Sequence, residues 1–375
     1  MNEVKRYRPF SEIPSAISWE ILGRVPIKMC LACKLVCKEW YRIVKSPEFT
    51  SFHRRFNASE FAILLYRSGG GGSGGRATFS LVELKKALDV DDSGDCVVGV
   101  GDLIRVQPNI ATPRGTWYLR SHCDGAICLE TVTNEYVVCH LLTRRSVNVQ
   151  NLHELKKPPC VIKHCELGRC PATGQFKVLM FLYDTVYEIL VAKVQTLGNG
   201  EWRIVGNVPF NHLSDGCFLN GSSHWRGPTC IWSFHFGKEE FLQIPLPDNI
   251  IRAHHRNNNN NNPVESHYSR VWSGKELFVF NSCLCLRPFF RSPDVWMMKE
   301  YGVRNSWVRQ LAIGTHALTV PLAQMDNGTI LLKSGSTLYL YDPRTHVSKS
   351  VQFELNGLSN SMTPFAACDA RCFRF

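Results

Sequence analysis

Two short motifs have the residue types and spacing of catalytic or redox sites. Residues 71–75, Gly-Gly-Ser-Gly-Gly, satisfy the Gly-x-Ser-x-Gly pattern of serine hydrolases, in which a sharp strand-to-helix turn exposes the nucleophile. Such a turn is rigid, whereas the glycine and serine run over residues 69–75 has the composition of a flexible loop. Cys30 and Cys33 have the Cys-x-x-Cys spacing of dithiol redox sites, but no βαβ pattern surrounds them. The sequence therefore favours neither chemistry.

A third group could bind a metal ion. Four possible zinc ligands fall within eleven residues, namely Cys160, His164, Cys165 and Cys170. Their spacing matches no common zinc module, and the sequence contains no P-loop, no His-Glu-x-x-His and no paired-carboxylate constellation. We therefore expect a protein without a metal, a cofactor or a catalytic centre.

Composition limits the compartment and the class of partner. The chain has 375 residues, of which 44% are hydrophobic, so it can bury a core without disulfide bonds. We therefore expect its 16 cysteines to be reduced, as in a cytoplasmic or nuclear protein. The sequence contains no run of 18 apolar residues of the kind that predicts a membrane span, and its first thirty residues do not resemble a secretory leader. The net charge is +11, but the basic residues are dispersed, which suits an acidic protein surface better than a nucleic acid.

The first part of the chain has helical periodicity. Ile17, Ile21, Leu22 and Val25 recur at the spacing of one apolar helix face, and Pro26 would end that helix. Two or three short helices bury little surface alone, so this unit is expected to need a partner.

After about residue 60 the pattern becomes that of short strands. Runs rich in β-branched and aromatic residues predict strands over 61–66, 97–100, 126–129, 136–139, 178–182, 187–194, 231–236, 277–280, 330–333 and 337–341. Turn signals such as Asn220-Gly221 separate them, and one helix is predicted over residues 81–88. So many short strands favour a barrel or a propeller, and the length would hold six or seven blades.

The helical part resembles an F-box. Residues 13–26 are similar to the opening of that family, in which Leu-Pro precedes Glu-Ile-Leu-x-Arg-Leu-Pro. Residues 33–40 and 46–49 are similar to its Val-Cys-Lys-x-Trp and Ser-Pro-x-Phe signature, while Ser18 departs from it by occupying an apolar position. The resemblance implies binding to a Skp-family adaptor, and through it to a cullin, by Ile13, Pro14, Ile17, Ile21, Leu22, Val25, Pro26 and Leu31.

The remainder resembles the F-box-associated domain of the large plant F-box family. Similar blocks occur in the order of that family at residues 121–129, 201–203, 219–225, 233–247, 295–307 and 341–343. The resemblance implies a mainly β fold with a small N-terminal α domain, in which a helical F-box precedes a kelch-like, propeller-like domain. Large aromatic side chains near hairpin turns usually pack inside such a domain, so we expect this of Trp202, Trp225, Trp296 and Trp307.

The two resemblances imply the substrate-recognition subunit of a Skp–cullin–F-box ubiquitin ligase. The F-box, over residues 10–55, would bind the adaptor. The β domain, over residues 60–375 with flexible insertions at 69–75 and 257–262, would hold a target protein for ubiquitination. Such a receptor acts by positioning and supplies no reacting group. The alternative is a propeller protein that binds nucleic acid or catalyses a reaction and carries a degenerate F-box.

Deleting residues 257–262, a run of asparagines, should leave adaptor binding intact and shift the melting temperature by no more than a few degrees. The run has no apolar member to bury, and the entropy of closing a loop grows only logarithmically with its length. Thermal unfolding and an adaptor pull-down of the deletion variant measure the two effects. Loss of the folded β domain would show that this segment is packed.

Overall fold

A computed structural model describes the helical unit and most of the β domain. The described residues are 13–25, 27–46, 48–49, 52–53, 62–67, 78–83, 96–98, 103–106, 117–141, 145–155, 159–210, 216–227, 229–248, 250, 277–287, 294–310, 319–325, 327–334, 337–353 and 368–373. The glycine-rich run at 69–75 and the asparagine run at 257–262 lie outside them.

Three short helices form the N-terminal unit, namely α1 (Ser15–Arg24), α2 (Ile27–Cys33) and α3 (Lys38–Lys45). The carbonyl of Pro14 accepts the first backbone hydrogen bonds of α1. Val25 is extended and precedes Pro26, and a residue before proline is disfavoured in the helical conformation, so α1 ends there. At the start of α3 the sulfur of Cys37 accepts a hydrogen bond from the amide of Trp40, as an N-cap side chain does. None of the helices in the described stretches is both long and apolar enough to cross a membrane.

Five sheets each contain four consecutive antiparallel strands, and one of the five has an additional fifth strand. The first two are β5 (Trp117–Cys123), β6 (Ala126–Thr131), β7 (Tyr136–His140) and β8 (Ser146–Asn148), then β9 (Cys160–Arg169), β10 (Phe176–Asp184), β11 (Ile189–Thr196) and β12 (Trp202–Asn207). The third is β13 (Cys217–Leu219), β14 (Ser222–Arg226), β15 (Cys230–His235) and β16 (Glu240–Pro245). The last two are β17 (Leu277–Phe280), β18 (Cys283–Leu286), β19 (Val295–Met298) and β20 (Trp307–Gln310), then β21 (Thr319–Gln324), β22 (Ile330–Ser334), β23 (Thr337–Asp342) and β24 (Val347–Phe353).

A sixth sheet joins strands from the two ends of the β domain. Its order is β25 (Cys368–Phe373), β1 (Ala62–Arg67), β2 (Thr78–Glu83) and β4 (Leu103–Val106), while β3 (Cys96–Val98) pairs in parallel with β24. The first strands of successive sheets lie side by side, β5 beside β9, β13 beside β17, β17 beside β21 and β21 beside β25. Four-stranded sheets arranged in this way form a β-propeller.

The mainly β fold with a small N-terminal α domain, predicted from the sequence, is therefore confirmed. Each of the ten predicted strands overlaps an observed one. The helix predicted over 81–88 is wrong in its described part, because residues 81–83 belong to β2, which pairs with β1 and β4. The sequence predicted six or seven blades. The structure has five blades of consecutive strands and a sixth sheet that joins the two ends of the β domain.

Tight two-residue turns close the first hairpin of three blades. Both central residues have a positive φ in Asp124-Gly125, Asn220-Gly221 and Asn281-Ser282. Positive φ at both positions is the geometry of the type I′ turn, which matches the twist of the paired strands and favours Asn, Asp and Gly. Gly221 is additionally required by space, since a Cβ there would lie 2.9 Å from the ring of Pro171 in the preceding blade.

Tryptophans fill the spaces between blades, as predicted. Trp225 is buried against Phe181 and Phe210, with ring centroids 5.4 Å away in each case. The indole nitrogen of Trp307 donates to the carbonyl of Pro245 in the preceding blade at 3.0 Å. Trp202 and Trp296 are half-buried and pack on the neighbouring core clusters.

Both ring nitrogens of one buried histidine are hydrogen-bonded, and one of these bonds links two blades. His224 on β14 lies 3.0 Å through Nδ1 from the carbonyl of Cys217 and 2.6 Å through Nε2 from the hydroxyl of Tyr301. A carbonyl can only accept, so Nδ1 carries the proton and Nε2 accepts from the Tyr301 hydroxyl. Burial disfavours the charged ring and lowers the pKa of His224 to about 4.

The stability of the protein should therefore fall as the pH drops from about 6.5 to about 4, because the unfolded histidine takes up a proton in a range where folded His224 does not. His224→Phe should make this fall shallower, measured by urea unfolding at a series of pH values. Part of the slope should remain, since burial also lowers the pKa of His140 to about 4. His153→Phe, at an exposed position, is the control for the histidine-to-phenylalanine change itself. An unaltered slope in His224→Phe would contradict this assignment.

Candidate protein-docking surface

The inner face of α1 forms the core of the helical unit. Leu22 is fully buried and packs in one cluster with Cys30, Trp40, Ile43 and Phe49. The sequence predicts Leu22 as an adaptor-binding residue. In the structure its side chain lies inside the helical unit and is not exposed on the opposite, outer face of α1.

A hydrogen bond explains the serine at an apolar position of α1. Ser18 is fully buried, and its hydroxyl accepts from the indole nitrogen of Trp40 at 3.3 Å. The N–H of a buried tryptophan usually has a hydrogen-bond acceptor. Ser18 therefore belongs to the same inner face as Leu22, and Trp40 is a core residue of the helical unit.

The segment after α3 packs back onto α1. The ring of Trp19 makes edge contacts with Phe49 and Phe52, at centroid distances of 5.8 and 5.2 Å. His53 is buried and lies 2.8 Å through Nε2 from the carbonyl of Val25. This contact ties the end of α1 to residues well beyond α3, so the helical unit is closed on itself.

The outer face of α1 carries apolar side chains that the unit itself does not cover. Ile17 is 50% exposed and Ile21 is 40% exposed, one helical turn apart. Pro14 is exposed, and Ile13 and Val25 are half-buried. Pro26 and the side chain of Leu31, the other two predicted docking residues, lie outside the described residues.

Further exposed apolar residues of the unit were not assigned to docking from the sequence. They are Met29 on α2, Leu35 and Val36 in the turn after it, and Tyr41 on α3; Leu35 is 89% exposed. Apolar character alone could not separate them from core residues, because the turn that exposes Leu35 and Val36 has no proline or glycine to mark it. Several large apolar side chains on so small a surface are typical of a binding site for another protein.

The paired cysteines of this unit have structural roles. The thiol of Cys30 lies 3.3 Å from the carbonyl of Leu22 and 3.4 Å from that of Val25, to which it donates. Burial raises the pKa of Cys33, which disfavours the thiolate that redox chemistry requires. The Cys-x-x-Cys spacing therefore reflects packing.

The possible zinc ligands of the β domain do not converge. Adjacent residues of a strand point to opposite faces, so His164 and Cys165 of β9 are directed apart. His164 lies 2.8 Å from Glu166, while the sulfur of Cys165 lies 3.4 Å from that of Cys128 in the neighbouring blade. Among the residues that the structure describes, no group of three or more His, Cys, Asp or Glu side chains could hold a metal ion.

The β domain also presents a preorganised apolar tip, the hairpin between β10 and β11. One carboxylate oxygen of Asp184 accepts from the amides of Val186 and Tyr187, at 2.9 and 3.1 Å. The amide and hydroxyl of Thr185 both donate to the carbonyl of Pro159. These bonds fix the turn, yet Val186 is 69% and Tyr187 is 74% exposed. A rigid turn that displays an aromatic side chain loses little entropy when it binds a partner.

Comparison with known proteins agrees with a division into an N-terminal helical unit and a C-terminal β domain. Residues 10–52 match the F-box domain family. An F-box protein of Arabidopsis thaliana is 22% identical over 93% of this chain and 88% of its own length, and an F-box/kelch-repeat protein of the same plant is 22% identical over 88% and 87%. The F-box protein CPR1 of that plant is 23% identical over 80% of this chain and 73% of its own. The solved structure of TolB from Acinetobacter baumannii gives a TM-score of 0.41 at 10% identity, over 84% of this chain and 69% of that one, which is too low to support a shared fold.

The contact between Ser18 and Trp40 should show energetic coupling. We expect Ser18→Ala to speed hydrogen exchange of the α1 and α3 amides in the full chain, since it removes the acceptor of the indole N–H. In a Trp40→Phe background the same change should cost about 1 kcal/mol less, the typical net value of a buried hydrogen bond. Ser15→Ala, at an exposed position of the same helix, is the control. Strict additivity of the two changes would show that the bond does not form.

Proposed function

The chain is a plant F-box protein with an N-terminal F-box and a C-terminal β-propeller, and from this we propose that it is the substrate receptor of a Skp–cullin–F-box ubiquitin ligase. In this role the F-box binds a Skp-family adaptor, the adaptor binds a cullin, and the propeller holds the protein to be ubiquitinated. The cofactor-free mechanism is positioning, because holding a target lysine near the charged enzyme raises its effective concentration.

The observation that carries the proposal is the two-sided character of α1. Its inner face, with Ser18 and Leu22, is fully occupied by the core of the unit, whereas Ile17 and Ile21 stand on the opposite side with about half of their surface exposed. Apolar side chains fixed on a closed scaffold, but not covered by it, gain free energy when a partner covers them. The adaptor is the partner that fits this face in an F-box.

Features of the propeller support a role in target binding. Its core is filled by its own side chains, and the hairpin with Val186 and Tyr187 presents apolar surface on a fixed turn. The positive net charge of +11 favours targets with acidic surfaces. Loops on a rigid scaffold are where recognition residues usually lie, so the target is set by local chemistry and not by the propeller itself.

The compartment we propose is the cytoplasm or the nucleus. None of the thirteen cysteines whose side chains are described forms a disulfide bond, and several lie in apolar cores. Burial raises the pKa of Cys139 to about 12 and that of Cys165 well above its ordinary value, so these thiols resist deprotonation. Thiols that pack as small apolar groups are typical of proteins in reducing compartments. Alkylation on cell lysis followed by mass spectrometry tests this, and two or more stoichiometric disulfides would contradict it.

The double variant Ile17→Asp with Ile21→Asp should abolish capture of the Skp adaptor while the propeller stays folded. Both residues lie outside the core of the unit, and burying two unpaired carboxylates against a partner costs several kcal/mol, enough to weaken binding at least ~100-fold. The measurement is a titration of the purified full-length protein with the adaptor, accompanied by circular dichroism.

The matched control is Val186→Asp with Ile204→Asp, which makes the same chemical change at two exposed apolar positions of the propeller. It should bind the adaptor as the unmodified protein does. Leu22→Asp should also lose binding, but together with the helical signal of the unit, since Leu22 is a core residue. Undiminished adaptor binding by the Ile17 and Ile21 double variant would rule out the docking face proposed here.

A further inference from the structure

A buried arginine lies at the junction of two neighbouring blades. Arg287 directly follows β18, and it is only 2% exposed. Its Nη2 atom donates to the carbonyl of Thr319, the first residue of β21 in the next blade. The guanidinium is therefore directed from one blade toward the other, where β18 ends and β21 begins.

Most of the donor groups of this side chain have no acceptor. Nε and Nη1 are buried, and neither forms a hydrogen bond. Asp294, which immediately precedes β19, is bonded to Arg309 at 2.9 Å, and no described carboxylate forms an ion pair with Arg287. Burial lowers the pKa of Arg287, yet an arginine keeps its proton in proteins, so a positive charge is enclosed here.

An enclosed and unpaired cation is unfavourable, and the cost is removed when an anion of matching shape binds it. The guanidinium fork is planar and presents parallel N–H groups, which fit the paired oxygens of a carboxylate or a phosphate. The positive charge of the whole chain, +11, adds a favourable field for an anion.

We propose that Arg287 is the centre of a binding site for a small oxyanion, between the blade of β17–β20 and the blade of β21–β24. The ligand class is a phosphate or a low-molecular-weight carboxylate, held by Nε and Nη1 of Arg287. Since the side chain is almost completely enclosed, an extended chain of a target protein cannot reach it, and the ligand must be small. The anion stabilises the junction of the two blades, a role separate from adaptor and target binding.

The test is thermal unfolding of the full-length protein during titration with sodium phosphate, at constant pH and with ionic strength held constant by sodium chloride. A ligand that binds only the folded state raises the melting temperature in a saturable way. We expect such a rise of a few degrees, with a parallel titration in sodium acetate to distinguish a carboxylate site from a phosphate site. Arg287→Met should show no saturable rise, and without phosphate it should be at least as stable as the unmodified protein, because the enclosed charge is gone.

Two further variants make the result decisive. Arg309→Met removes the same charge from an exposed position of the same blade, so it should keep the full response. Arg287→Lys keeps the charge without the planar fork, so it should need roughly tenfold more phosphate for the same rise, a discrimination of the size expected for a bidentate pair. If Arg287→Met does not fold, the comparison of Arg287→Lys with Arg309→Met decides. The proposal would be overturned if phosphate raised the melting temperature equally in the Arg287 and Arg309 variants. It would also be overturned if neither anion raised the melting temperature of the unmodified protein in a saturable way.

Discussion

The constraint on which the β domain depends is that its blades are apolar on both faces. On β10, Val178 and Met180 point into a core shared with the preceding blade, while Leu179 and Phe181 point into a core shared with the following one. A blade of this kind can bury its surface only between two neighbours, which explains why β10 reads as a continuous apolar run. The ring must therefore close, and the sheet that pairs β25 with β1 closes it.

Cysteine has the role of a small core residue throughout this protein. Cys123, Cys128 and Cys165 lie in one cluster between the first two blades, and the sulfurs of the latter two are 3.4 Å apart. A buried polar side chain nearby, Gln195, is held by hydrogen bonds between its amide group and the backbone of Gln150 and Gly200. Buried polar groups normally have partners, and the side chain of Arg287 departs from this rule with two nitrogen atoms that lack one.

A strand that is apolar on both faces was readily predicted from the sequence, whereas one rich in cysteine and polar residues was missed. Residues 178–182 were predicted because every one is apolar, and they lie within β10. β9 was missed, since its cysteines, histidine and lysine obscure the alternation and suggested a metal site. The helix expected over 81–88 failed for a different reason: pairing with β1 and β4 overrides the local helical pattern. On α1 the spacing identified the exposed Ile17 and Ile21, but helical periodicity could not show that Leu22 faces inward with Ser18.

The pairing of β25 with β1 also sets the order in which the two halves can become functional during synthesis. The helical unit is complete once residue 53 has left the ribosome, whereas β1 must wait about 300 residues for its neighbour in the sheet. Throughout that interval the unpaired edge of β1 is open to other strands, a known route to aggregation and to recognition by chaperones. A chain interrupted before residue 368 would carry an intact helical unit on an unclosed propeller. If the helical unit binds the adaptor, such a fragment would occupy it without presenting a target, and so inhibit the full-length protein in a dominant-negative manner.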